Sequence, residues 1–151
     1  MLLPNCPEFV IIYFGIVKIG AIALPLNIRY KVDELASLFN DSQPKVLIVE
    51  SPSLERLASA LPRFKYIEHV IDLGDKYPGQ FISYHQLMPA GSASKVEVRL
   101  EPEDIALIVY TSGPTVNPMG VILTHYSLVT EATISAYGFE QTDKDRVIQF
   151  A

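Results

Sequence analysis

Between Tyr110 and Gly120 the chain reads Tyr-Thr-Ser-Gly-Pro-Thr-Val-Asn-Pro-Met-Gly. The hydroxyls of Thr111, Ser112 and Thr115 alternate with residues that bend or narrow the backbone, and the segment follows directly on an apolar run, residues 104–110. Small residues let backbone N–H groups approach phosphate oxygens, and Ser or Thr hydroxyls can donate to them or ligate Mg2+. Loops at the carboxyl ends of strands are where layered α/β sheets commonly hold ligands. The segment is not a Walker A loop, because no Lys-Ser/Thr follows the spacing from Gly113 to Gly120. By composition alone it is first of all a surface turn, since such clusters mark most loops.

No other group competes for chemistry. His69, His85 and His125 are too widely spaced for a metal site, and the single cysteine excludes a disulfide framework. Cys6 stands at a helix start, where a dipole could lower its pKa, but no His or Asp partner lies near it in sequence. Tyr13, Phe14 and Phe39 read as core before they read as ligand contacts. Asp33-Glu34 and residues 143–146 read as solvated caps or turns, and no carboxylate pair has acid–base spacing.

The elements that must position the loop follow from patterning. With 151 residues, 49% of them hydrophobic and 19% charged, the chain can bury a core. A net charge of -5 offers no basic face to nucleic acid. Residues 9–26 are almost uncharged, yet Lys18, Gly20 and Pro25 interrupt them, and Pro4, Pro7 and Glu8 replace the positive start of a signal peptide. A buried helix running into a buried strand is expected instead, in a cytoplasmic protein for which peripheral membrane association is compatible. Asn5 is expected to cap that helix with Glu8 in the capping-box position, Pro7 to sit in its first turn, and Gly20 to end it.

Strand and helix then alternate. A strand is predicted over 21–26, and a helix follows with Val32, Leu35, Ala36 and Phe39 on one face. Residues 40–44 break it, and 45–49 form a continuous apolar strand of the kind covered on both faces. Ser53 is expected to cap a helix with Leu54, Leu57, Ala58 and Leu61 inward. Strands are predicted over 66–73 and 121–123, and an exposed or edge strand carries Val96, Val98 and Leu100. Short and long helices are predicted over 83–88 and 125–137, the latter with Leu128, Val129, Ala132 and Ala136 inward. Residues 147–150 begin a further strand. The sum is an α/β fold, layered, with a largely parallel sheet flanked by helices. Apolar residues run to both ends, which reads as an excised segment.

Thr111-Ser112-Gly113-x-Thr115-x-x-Pro118-x-Gly120, followed by Val121-x-Leu123-Thr124-His125, is similar to the phosphate loop of the adenylate-forming enzymes. Leu3-Pro4-Asn5-x-Pro7-Glu8-Phe9, Lys18-x-Gly20-Ala21, Pro25-Leu26-Asn27 and Asp104-Ile105-Ala106 resemble further motifs of that superfamily, in the correct order along nearly the whole chain. The branch it most resembles is the medium- and long-chain fatty acyl-CoA ligases. The resemblance implies a partial N-terminal adenylation (AMP-binding) domain over 1–151, truncated at both ends. It implies ATP, Mg2+ and coenzyme A as cofactor and co-substrates, a fatty acid as carboxylate substrate, no transmembrane segment, and compatibility with a homo-oligomer. It places Thr111, Ser112, Gly113, Pro114, Thr115, Val116 and Gly120 in the phosphate-binding loop, Thr111 near Mg2+, and His125 near the acyl group or adenylate. The adenine-binding segment, the Mg2+-ligating glutamate, the ribose-binding aspartate and the late lysine would all follow residue 151, so the isolated chain is expected to be inactive.

Three positions depart from the family pattern. Pro114 stands for Ser or Thr, Val116 for Gly and Met119 for Lys. Proline removes a backbone donor, valine is strained wherever the glycine uses positive φ, and methionine removes a cation. An impaired loop is therefore expected. Two other readings remain at this level: a non-catalytic, ligase-derived interaction module, and a small flavodoxin-like or Rossmann-type domain. The last lacks any G-x-G-x-x-G.

Overall fold

The computed structural model describes residues 1–111 and 118–146. Its first helix, α1, spans Pro7–Lys18. Pro7 lies in the first turn as expected, but the capping position is Cys6 and no side chain caps it, so the predicted Asn5 box does not form. Gly20, at φ 75°, ends the helix. Its N–H donates to Val17 O at 3.1 Å and that of Ala21 to Ile16 O at 3.1 Å, the paired bonds of a Schellman cap.

Helix α2 (Val32–Ser42) is ended by Gln43 in the left-handed region. Strand β1 (Val46–Val49) and helix α3 (Ser51–Leu57) follow, and α3 tightens into a 3-10 turn over Ala58–Arg63. The cap of α3 is Glu50 rather than Ser53. Ser53 sits buried in the first turn, its Oγ donating to Glu50 Oε1 at 3.0 Å. Strand β2 (His69–Asp72) is shorter than the predicted 66–73. After β3 (Ile82–Ser83), Ser83 Oγ caps α4 (Tyr84–Ala90) by accepting from Gln86 N–H. The chain then runs through β4 (Ile105–Thr111), β5 (Met119–Thr124) and α5 (His125–Gly138). The expected strand around Val96–Leu100 does not form, and the predicted strand at 147–150 lies outside the described residues.

Strands β1, β2 and β3 are parallel neighbours in that order, with Val46 opposite His69 and Ile71 opposite Ile82. Short extended pieces continue the layer. Leu2 bridges Val49 in parallel, and Ala23 bridges Leu107 in parallel. Between them, Met1 N donates to Leu24 O at 2.7 Å, and Leu26 N–H donates to Met1 O at 2.9 Å. Backbone bonds thus run from β3 across β2, β1, residues 1–3 and 23–26 to β4. The exception is β5, which pairs antiparallel with β4. The segment expected to bind phosphate therefore joins two strands of a hairpin, not a strand and a crossover helix.

The parallel layer is covered on both faces. On one, Leu2, Leu47 and Val49 pack with Leu35, Leu38 and Phe39 of α2 and with Leu54 and Leu57 of α3. On the other, Met1, Leu3 and Ile48 pack with Ile12 of α1 and with Tyr84. This arrangement explains the unbroken apolar run Val46–Val49. Phe39 is core as expected, whereas Phe14 is 62% exposed. Helix α5 also departs from expectation: none of its residues is buried, and Val129 is 66% exposed.

Candidate functional site

The site is built on the β4–β5 hairpin. β-branched and apolar residues from Ile105 to Val109 favour extended backbone, and Ala106, Leu107 and Tyr110 bury their side chains. The partner strand places Met119 opposite Thr111 and Gly120 opposite Tyr110. The two stems of the candidate phosphate loop thus face each other, while Ser112, Gly113, Pro114, Thr115 and Val116 lie outside the described residues. Thr111 is exposed at the end of β4. Met119, where the family pattern has lysine, is 63% exposed and holds no charge.

Tyr110 shapes these stems. Its ring lies over Gly120, where an added Cβ would stand 3.3 Å from Tyr110 Cε1 and 3.3 Å from Ile108 Cγ2. Glycine eases the close approach of these side chains, and its φ plays no part. The Tyr110 hydroxyl donates to Asp41 Oδ2 at the end of α2. Burial, reinforced by that bond, pushes the Tyr110 hydroxyl up to about 12. Sequence reasoning missed this pair. The available signal was an acid in the last turn of a helix, where the dipole disfavours negative charge.

His125 opens α5. The helix is capped by Thr124, whose Oγ1 accepts from Ser127 N–H at 3.2 Å, while Ser127 Oγ accepts from Thr124 N–H at 2.9 Å. The backbone N–H of His125 donates to Asp104 O at 3.0 Å. Its Nε2 is buried and has no hydrogen-bond partner among the described residues. Buried polar atoms are rarely left so, and each exception calls for a partner. His125 Nε2 is thus able to exchange a hydrogen bond with a ligand.

A second polar cluster is structural. Asp72, 2% exposed, accepts from Ser51 Oγ and Gly74 N–H through Oδ1 and from Lys76 N–H through Oδ2. Its lone pairs hold the turn after β2. Gly74 leaves room for Ser51, whose Oγ would be 2.0 Å from a Cβ. Among the described residues no group of three His, Cys, Asp or Glu side chains could hold a metal ion. The single hydroxyl of Thr111 is not a ligand set by itself. No described helix is long and apolar enough to cross a membrane.

These motifs and this hairpin have known counterparts. Residues 1–151 match the model of the AMP-binding enzyme family, and the chain belongs to that family. It is 32% identical over 151 residues to a crotonobetaine/carnitine–CoA ligase from Salmonella paratyphi A, covering 95% of this chain and 28% of that ligase. Among solved structures, a long-chain-fatty-acid-CoA ligase from Archaeoglobus fulgidus superposes with a TM-score of 0.83 at 32% identity, covering 94% of this chain and 28% of that one. An anthranilate CoA ligase in complex with anthranoyl-AMP superposes with a TM-score of 0.78 at 28% identity, covering 84% of this chain and 24% of that one. The chain spans 28% of the length of that Salmonella relative. The expected layered α/β architecture and the expected superfamily are both borne out.

Proposed function

We propose that these residues form part of an ATP-dependent acyl-CoA ligase acting on a fatty carboxylate. A carboxylate oxygen attacks the α-phosphorus of ATP, its bond to the β-phosphate bridging oxygen breaks, and pyrophosphate leaves an acyl-adenylate. The thiolate of coenzyme A then attacks the acyl carbon, and AMP departs. Such chemistry rests on positioning and charge stabilisation more than on a protein nucleophile. The observation that carries the reading is the family match across residues 1–151, with Thr111 and Gly120 brought opposite one another's neighbours at the mouth of the hairpin. His125 Nε2, buried with no hydrogen-bond partner among the described residues, supports a role in positioning the acyl-adenylate. Mg2+ would accompany the nucleotide, with Thr111 at its edge, although the described residues do not by themselves assemble a metal site.

In this reading the loop is weakened at Pro114, Val116 and Met119. A charge-assisted hydrogen bond contributes about 1.5–3 kcal/mol, so loss of the lysine alone slows nucleotide use by roughly one to two decades. Carboxylate-dependent ATP–pyrophosphate exchange by the full-length protein, with and without Pro114→Thr, Val116→Gly and Met119→Lys together, tests both parts. Exchange that rises in the variant supports them. An unchanged rate removes the impairment, and no exchange in either protein removes the ligase. The 151 residues alone are not expected to turn over.

One observation favours a second reading, a ligase-derived interaction module. Tyr126, Val129, Ile134, Tyr137 and Phe139 expose large apolar side chains along α5 and just past it, and contiguous apolar surface marks interaction sites. Native mass against concentration discriminates. A stable stoichiometric complex supports the module, and irregular aggregation counts against it.

A further inference from the structure

Residues 95–101 read Lys-Val-Glu-Val-Arg-Leu-Glu, an alternation of charged and apolar side chains that the function proposed above leaves unused. They contain no helix, turn or bend, and residues 91–99 are exposed throughout. Two contacts give them the period of a strand. Val98 Cγ1 and Leu100 Cδ2 lie on one side, 3.4 Å and 2.8 Å from where a Cβ would stand on Gly20. Arg99 and Glu101 share the other side, with Nε 2.8 Å from Oε1. Side chains two residues apart on one face belong to extended backbone. Yet among the described residues the N–H and C=O groups of 95–100 make no backbone–backbone hydrogen bond. An extended segment with such groups on its rim is a template for another strand.

The charges select the strand. Antiparallel pairing of this segment with itself about Val98 sets Lys95 opposite Glu101 and Glu97 opposite Arg99, each twice by symmetry. Val96 then faces Leu100, and Val98 faces its own copy. Opposite charges directly across an antiparallel pair stabilise it, and like charges destabilise it. Moving the centre to Glu97 sets Lys95 against Arg99, moving it to Arg99 sets Glu97 against Glu101, and parallel in-register pairing sets every charge against itself. The four charges of each strand cancel, so the seam is neutral in a chain of net charge -5. We propose that residues 95–101 are an interaction surface for a second copy of this chain, joined by a two-fold antiparallel strand pair centred on Val98. Such an interface is isologous and closes at two copies. Val98 is 44% exposed and lines a shallow groove with Ile19 and Ile22, themselves 53% and 46% exposed, which gives the seam its apolar side.

The test is the mass of the full-length protein against concentration by analytical ultracentrifugation. Because every contact repeats by symmetry, Lys95→Glu creates two like-charge pairs and is expected to raise the dimer dissociation constant about tenfold. Lys95→Glu with Glu101→Lys exchanges the partners and restores it to within about threefold. Glu97→Lys with Glu101→Lys leaves only positive charges, and Lys95→Glu with Arg99→Glu only negative ones. Each of these is expected to be monomeric alone and to form a heterodimer when the two are mixed. Register is read separately. Residues directly opposite in an antiparallel pair have Cα atoms about 4.5–5.5 Å apart, so Val98→Cys should form a disulfide between copies on mild oxidation, whereas Val96→Cys, facing Leu100, should not. All these positions are exposed or half-buried, and unchanged thermal midpoints confirm the fold. A monomer at every concentration overturns the proposal, and so does a dimer indifferent to the charge reversals. If a monomer protects the amides of 95–100 from hydrogen exchange, another segment of the full-length chain pairs with them and the proposal falls too. Catalysis enters none of these readouts, so loss of the ligase reading would leave this result standing.

Discussion

Residues 1–90 sandwich a parallel layer between α2 and α3 on one face and α1 on the other, so that Leu2, Leu35, Val49, Leu54 and Leu57 retain no exposed surface. Residues 105–146 are also rich in large apolar side chains, yet among the described residues only β4 buries any of them, and Ile134 and Val129 of α5 are each 66% exposed. The contrast is one of partners, not of composition. Burial needs a second surface, and α5 has one only where it leaves β5. An apolar helix face states a demand for a neighbour, and the fold decides whether that demand is met.

The largest test of this contrast is truncation in each region. Leu54→Ala is expected to cost about 2–5 kcal/mol in urea denaturation of the chain, the usual range for emptying a packed site. Ile134→Ala should change stability by no more than about 0.5 kcal/mol. Equal losses would mean that the α5 face is covered in solution. A smaller pair sharpens the account of α1. Gly20→Ala forces a left-handed residue that costs about 1–2 kcal/mol, and its Cβ would lie 2.8 Å from Leu100 Cδ2. Gly15→Ala, inside the same helix with nothing within 4 Å, should stabilise by about 0.5–1 kcal/mol. Thermal midpoints moving in the same direction would contradict that assignment.

The junction between the two regions is tested by pH. Tyr110 has its hydroxyl pushed up to about 12 by burial and by Asp41. Below about pH 10 both folded and unfolded chains keep the proton, so the contribution is whole. Above it the unfolded chain ionises first, and stability is lost as pH rises through the folded value of about 12. Denaturation midpoints of the chain and of Tyr110→Phe should therefore converge across that window. Parallel curves would show that the hydroxyl is not held. The smallest effect is expected at the surface. Lys45 Nζ and Glu68 Oε1 are 2.8 Å apart with both side chains largely exposed, and Glu68→Gln should leave the denaturation midpoint unchanged.

Much of this fold was legible from residue types. Pro7 and Gly20 bracket α1, the run at 46–49 announces a doubly covered strand, and Ser83 caps α4 as short-range chemistry allows. The misreadings have local causes. Asn5 and Ser53 were the expected caps of two helices, and backbone geometry put Cys6 and Glu50 there instead. Val96 and Val98 alternate with charges as an edge strand would, but among the described residues no strand pairs with them. The motif from Thr111 to His125 was legible as chemistry, while the antiparallel sense of its two strands was not, because pairing direction is set by chain return and not by side-chain type.

The sequence by itself determined the family, the candidate nucleotide segment and its departures at Pro114, Val116 and Met119, since these depend on the identity and spacing of neighbouring residues. Tertiary structure alone decided that Gly120 lies against the Tyr110 ring, that Asp41 answers Tyr110, and that His125 Nε2 is buried with no hydrogen-bond partner among the described residues. Each of those facts joins groups far apart in the chain or depends on what surrounds an atom, and no local pattern carries that information. A hydrogen bond between residues 41 and 110 forms only once the layer between them has brought α2 and β4 side by side.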